Sequence, residues 1–300
     1  FFANRHGWEV WLPTVPLDRL YGTELRRWYA ARGVDLRLNA GVRSVAAVCD
    51  APTSASGAEV ILRSGERLAG DAVVLAVPQH LVPELAPALS DWWNDRDGPS
   101  RLESAPISSI HLWYDRPVTA DRHVTFVGRT SQWLFNRGAI HDESPANSAA
   151  GLQPEADVPP EASRGVKADP WYGQVVISAS HNVAGAAAQQ TIDRVVAELA
   201  EVYPASRDAR LLRSRLVTEH RAVLSVQPGV DRYRPGPNSP VPNLYLAGDW
   251  IQTGWPSTME GAVRSGWLAA EAVLARHGST ERLLADDLPI AGLSKWLLGL

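Results

Sequence analysis

The stretch "NLYLAGDWIQTGWPSTMEGAVRSG", residues 243–266, places chemistry-bearing residues at informative spacing. An apolar run ends in Gly248 and Asp249. A glycine at the carboxyl end of a strand lets another group approach the main chain, and the carboxylate after it accepts hydrogen bonds from hydroxyls. Further on, Ser257 with Glu260 three residues later reads as a capping box, which starts a helix near Thr258. The free N–H groups from Thr258 to Gly261 add to the helix dipole and make a positive end suited to an anion or an electron-rich carbonyl. A flavin meets these demands, because its reduced form gathers negative charge at N1 and the C2 carbonyl. A plain loop-to-helix junction, with Asp249 as a surface turn residue, is the competing reading.

Periodicity indicates the elements that would hold this junction. "NLYLAGD" reads as a short buried strand and "STMEGAVRSGWLAAEAVLARHG" as the helix after it. Small residues in that helix (Gly261, Ala262, Ser265, Gly266, Ala269, Ala270) permit close packing despite the propensity cost of glycine. "AEVILRSGERLAG" reads as a hairpin turning at Ser64-Gly65, and the apolar run from Ala72 to Val77, stopped by Pro78, predicts a strand buried on both faces of a parallel sheet. Leu17, Leu20, Leu25, Trp28 and Tyr29 lie at helical spacing over 17–32, with Gly33 just beyond the end. "VDLRLNAGVRSV" then alternates as a strand. Four further strands, "ISSIHLWYDRPV", "HVTFVG", "SQWLFNRG" and "QVVISASH", read as a second sheet. Alternation puts Ile110, Leu112 and Tyr114 on one face, with Ser109, His111 and Trp113 on the other. Residues 186–202 form an amphipathic helix through Ile192, Val195, Val196 and Leu199. "CDAPTSASG" (49–57) is a turn-rich loop, and the Pro/Ala-rich, aperiodic stretch 141–170 reads as a mobile surface insertion.

Three hundred residues suit two interleaved domains or one large α/β unit. A net charge of −4 without a basic stripe argues against a nucleic-acid partner. The single cysteine, Cys49, excludes an internal disulfide and a thiolate metal cluster, and fits a reducing, cytoplasmic setting. No His/Asp/Glu cluster has metal-ligand spacing, so no metal is expected. No apolar run is long enough to span a bilayer. The tail "LPIAGLSKWLLGL" has two readings: Trp296, Leu297, Leu298 and Leu300 behind Lys295 lie in a bilayer interface at the inner membrane face, or they pack on the fold.

The run 243–274 resembles the C-terminal FAD-binding segment of the flavin amine oxidase and phytoene desaturase superfamily; "RLNAGVRSV" and "DAVVLAVP" resemble two of its strands. The resemblance implies an α/β architecture with an α+β insert. Residues 1–80 and 228–277 would be parts of a discontinuous FAD/NAD(P)-binding Rossmann-like domain, and 81–227 a mixed-sheet substrate domain of the amine oxidase type, followed by a tail over 278–300. It implies that Gly248 and Asp249 lie by the ribityl-pyrophosphate, that Met259 offers its N–H to the flavin pyrimidine edge, that Thr258 stands before the ring, and that Val42 meets the adenine. The superfamily's glycine-rich dinucleotide turn does not occur in the sequence, and the chain opens at Phe1. The expectation is therefore the C-terminal part of a longer flavoprotein, which binds FAD weakly or not at all by itself. Ser109 stands where amine oxidases carry a lysine, and Thr258 replaces a cage aromatic, which argues against amine oxidation. "APISSIHLWYDRPV", "SQWLFNRG" and "GDWIQTGWPSTMEGAVRSG" are similar to the hydroxysqualene dehydroxylases. That similarity implies reductive removal of the hydroxyl of hydroxysqualene to give squalene, within hopanoid synthesis. A phytoene-type desaturase is the second reading, and a lipid carrier without flavin a third. The sequence carries twelve tryptophans, and on the first reading Trp133, Phe135, Trp171 and Trp255 cover an isoprenoid chain. His111 gives a proton to the leaving hydroxyl. Arg137 and Arg264 pair with carboxylates or phosphate.

Overall fold

The computed structural model describes residues 4, 6–7, 9–48, 57–141 and 170–298. Cys49, the rest of the turn-rich loop to residue 56, and 142–169 of the expected insertion lie outside the described residues. In chain order the named elements are α1 (Leu25–Ala30), β1 (Val42–Val48), β2 (Gly57–Leu62), β3 (Arg67–Gly70), β4 (Val73–Leu75), α2 (Val82–Leu85) and α3 (Ser90–Trp93). Then come β5 (Ser104–Tyr114), β6 (His123–Thr125), β7 (Trp133–Asn136), α4 (Arg137–Ile140), β8 (Trp171–Ser178), α5 (Ala188–Val202) and α6 (Ala205–Asp208). The last are β9 (Leu211–Leu224), β10 (Leu244–Leu246), α7 (Met259–Arg276) and α8 (Gly292–Leu298). Two compact units divide the chain: Phe1–Trp8, Arg37–Ser104 and Val223–Leu300 in the first, Glu9–Leu36 and Ala105–Ala222 in the second.

In the first unit β1, β2 and β3 form an antiparallel sheet, and β4 pairs in parallel with β10, Leu75 opposite Leu246. Its core joins Val45, Leu75, Leu244, Leu246, Trp250 and Ile251. Residues 81–104, placed by the sequence reading in the substrate domain, group with this unit because Leu85, Leu89, Trp93 and Leu102 insert into the same core. The tail groups here too; the Leu283 and Leu284 N–H groups donate to Glu271 Oε1 at 2.6 and 2.8 Å, while Leu293, Trp296 and Leu297 of α8 are exposed. The apolar run 72–77 is not buried on both faces: only Val73–Leu75 pairs, and Val74 is 42% exposed. An apolar run shows that a strand tolerates burial, but whether each face is covered depends on distant segments. Likewise "VDLRLNAGVRSV" is extended into a ladder only from Val42, after Asn39 turns at φ +55°.

In the second unit, the five-stranded sheet runs β6-β7-β8-β5-β9, with β6, β7, β8 and β5 antiparallel in sequence of pairing. Alternation holds as read: Ile110, Leu112 and Tyr114 bury with Leu134, Val175 and Ile177 against Ile192, Val195 and Leu199 of α5. Glu198 of α5 accepts the Thr130 and Ser131 N–H groups at 2.9 and 2.7 Å, which fixes the turn into β7. The 17–32 helix forms in two pieces, a wide turn over Asp18–Glu24 and then α1, and neither buries a residue. Helical spacing specifies an apolar stripe, not the surface that covers it.

Candidate functional site

The strand-to-helix junction is built in the first unit. After β10 the chain reaches Gly248 at φ +146°, a conformation L-residues rarely adopt. A Cβ there would sit 2.4 Å from Trp250 Nε1. That indole is fully buried, meets Trp93 edge-on at 5.6 Å, and donates to the Val77 carbonyl at 2.9 Å. Glycine is needed because the loop folds back over its own tryptophan. The Gly248 N–H donates to Ser265 Oγ at 2.8 Å, which ties α7 to the end of β10.

Thr258, not Ser257, is the N-cap of α7: its Oγ1 accepts the Gly261 N–H at 3.1 Å. The expected capping box fails because the Ser257 hydroxyl donates instead to Asp249 Oδ2. This bond also joins the two ends of the loop. Gly261 has no room for a Cβ, which would stand 2.5 Å from the Pro256 carbonyl oxygen, so the loop closes tightly on the first turn. Among the described residues the Met259 and Glu260 N–H groups have no protein acceptor, so two donors and the dipole of an 18-residue helix point outward together. Val42, at the start of β1, packs against the core that holds Trp250 and Ile251.

A residue that the sequence reading passed over organises the loop. Arg234, whose side chain is 4% exposed, donates from Nη2 to the carbonyls of Ile251 at 2.7 Å and Asp249 at 3.1 Å. Its Nη1 donates to the Trp255 carbonyl at 2.9 Å and to Asp231 Oδ1 at 3.0 Å, and its Nε to the Trp250 carbonyl at 3.3 Å. One planar fork thus satisfies four carbonyls of an irregular loop. No periodic pattern marks the arginine in "YRPGPN"; its four carbonyl partners lie 15 to 21 residues away. Beside it, Arg234, Gln252, Trp255 and Ser257 help to line a cavity of about 270 Å³. Trp255 is held from behind, its Nε1 donating to Asp287 Oδ1 at 2.8 Å under the Arg264 guanidinium. Arg264 pairs with Asp287 at 3.2 Å and Glu260 at 3.7 Å.

The remaining candidates lie in the second unit, on the sheet face opposite α5. Register sets Phe135, Gln174 and His111 in one row across β7, β8 and β5. Trp133 and Phe135 stack with centroids 6.2 Å apart. His111 Nδ1 lies 2.8 Å from Tyr172 Oη and Nε2 3.3 Å from Ser109 Oγ, which also accepts from Gln174 Nε2 at 2.8 Å. Trp171 does not join them. It opens β8 opposite Tyr114 and buries in the α5-side core, so its neighbour Tyr172 takes the polar face. The strand begins three residues before the "QVVISASH" boundary, and in a period-2 element such an offset decides which aromatic faces which side.

Burial first, then the charges of Arg137 and Arg215, push His111 down to about 4. The ring is therefore neutral near pH 7 and holds the Tyr172 hydroxyl rather than supplying an imidazolium proton. The unfolded ring, near 6.5, takes up a proton before the folded one does. Its contribution to stability is complete above pH 6.5 and is lost as pH falls toward 4. Between those values stability is expected to fall by roughly 2 kcal/mol on this account, allowing for solvent at the open side of the face. In His111→Gln, urea unfolding measured at pH 6.5 and 5 should lose most of this slope; an unchanged slope would contradict the assignment.

The profile of the family described as Flavin containing amine oxidoreductase matches residues 9–274. The chain belongs to this family. Within curated relatives, it is 28% identical to the 15-cis-phytoene desaturase of Synechococcus elongatus over 84% of this chain and 50% of that protein. It is 31% identical to the hydroxysqualene dehydroxylase of Rhodopseudomonas palustris over 68% of this chain and 39% of that protein. The chain spans about half the length, or less, of these relatives. A putrescine oxidase variant with redesigned cofactor binding superposes with a TM-score of 0.56 at 17% identity, over 84% of this chain and 52% of its own, which shows the shared fold. Flavin-containing family membership makes FAD the group to set against the junction, and the residues fit it: a carboxylate at the strand end and two outward N–H donors at a helix start. No helix among the described residues is long and apolar enough to cross a membrane.

Proposed function

We propose that the protein is an FAD-dependent oxidoreductase acting on an isoprenoid, and that its reaction is reductive removal of the hydroxyl of hydroxysqualene to give squalene. Bound FAD supplies hydride chemistry. Gly248 lets the chain turn back over Trp250 at the strand end, Asp249 would accept from ribityl hydroxyls, and the Met259 and Glu260 N–H groups would stabilise negative charge on a reduced ring; Val42 and Thr258 complete the assignment. Trp133 and Phe135 give an isoprenoid chain an apolar platform. The observation that carries the finer choice is the hydrogen-bonded set Tyr172–His111–Ser109–Gln174 on the same face as that platform. A pure hydrocarbon has no use for it, whereas a hydroxyl can both donate and accept there. Similarity to phytoene desaturases favours a second reading, oxidation of a carotenoid precursor.

FAD titration followed by the visible flavin band, then incubation with hydroxysqualene under reducing conditions and with phytoene under oxidising ones, tests the proposal. Squalene from the first incubation is expected. Product from phytoene alone would transfer the assignment to the desaturases, and a full-length protein that takes up no FAD would end both.

A further inference from the structure

We propose that the polar face of the five-stranded sheet carries a subsite for an anionic oxygen group, a carboxylate or phosphate, at the end of an apolar chain. The site is the face assigned above to the substrate, and the inference adds a class of ligand, an anionic amphiphile, that the proposed reaction does not use and whose binding needs no flavin.

Three arginines, Arg137, Arg213 and Arg215, lie about the face under discussion, although the whole chain carries more acids than bases. Arg137 follows directly after β7, its charge acts on both His111 and Tyr172, and its buried Nε has no hydrogen-bond partner. Arg215 on β9 acts on His111 from the other side, and Arg213 lies 5.0 Å above the Trp113 ring, which stacks on Tyr172 at 4.8 Å. The charges acting on His111 and Tyr172 include no carboxylate.

A half-buried guanidinium with an unmet donor is costly, and burial holds Arg137 below its ordinary range. A carboxylate or phosphate oxygen satisfies that donor, accepts one hydrogen bond from the Tyr172 hydroxyl, and is drawn in by the exposed Arg215. The apolar end has its place along β7: Phe135 lies two residues before Arg137 and stacks with Trp133, which lies four residues before Arg137. That run of strand, about 13 Å, suits a chain of about ten carbons.

Equilibrium dialysis of the full chain against geranic acid, geranyl monophosphate, geraniol and inorganic phosphate tests this. The two anionic amphiphiles should bind at least tenfold more tightly than geraniol and than inorganic phosphate, and the tighter of the two identifies the head group. The preference over geraniol should vanish in Arg137→Gln/Arg215→Gln and persist in Arg137→Lys/Arg215→Lys, with circular dichroism confirming that each variant folds. Equal binding of geranic acid, geranyl monophosphate and geraniol by the unmodified chain would overturn the proposal without any variant, as would a preference that survives removal of both charges. Binding of inorganic phosphate as tight as that of the amphiphiles would remove the apolar-chain part. None of these outcomes involves FAD uptake or turnover, so they fail separately from the proposed reaction.

Discussion

Arg234→Ala should lower stability by about 3–5 kcal/mol and abolish FAD uptake. The side chain is the shared partner of the Asp249, Trp250, Ile251 and Trp255 carbonyls, and truncation leaves buried acceptors without a donor. The Asp231 bond matters less, because that carboxylate is 70% exposed and well screened by solvent. Arg234→Lys keeps the charge but replaces a five-donor planar fork by a point ammonium. It should recover part of the stability and little of the loop geometry. Urea unfolding and FAD titration of the three proteins read the two effects separately. An alanine variant with an unchanged midpoint and unchanged FAD affinity would show that the loop holds its shape without the clamp.

Gly248→Ala should cost about 3 kcal/mol, from positive-φ strain together with overlap on a buried indole. The new Cβ would meet Trp250 Nε1 at 2.4 Å and Cδ1 at 2.7 Å, and the ring cannot swing aside while it bonds to Val77 and packs on Trp93. The steric share can be isolated. Trp250→Leu removes the ring at a cost of its own, but alanine at position 248 should then cost at least 1 kcal/mol less than in the parent. Thermal unfolding of the two single variants and the double variant measures this coupling. Additive losses would assign the whole effect to backbone strain.

Much of the local structure was legible because it repeats at short range. The period-2 pattern from Ile110 to Tyr114 assigned both faces of β5, the spacing of Ile192, Val195 and Leu199 assigned the inner face of α5, and the strand-Gly-Asp-helix order located the junction to within a residue. The same signal was present in "LLRSRLVT" of β9, where apolar and cationic residues alternate, but the sequence reading did not use it. Local pattern failed where one residue had two possible partners. Ser257 is an acceptable cap by type, yet Asp249 takes its hydroxyl and Thr258 caps the helix. Trp171 and Tyr172 are interchangeable aromatics until the pairing of β8 with β5 fixes which faces the core.

By itself, the order of residues determined which segments could be strand or helix and where a glycine, a carboxylate and a helix start would meet, since each depends on neighbours within a few positions. Tertiary structure alone decided that Arg234 clamps the loop, that Gly248 must clear an indole, and that His111 stays neutral beside Tyr172. Those properties arise from groups brought together across tens of residues, whose burial and charge exist only once the chain has folded.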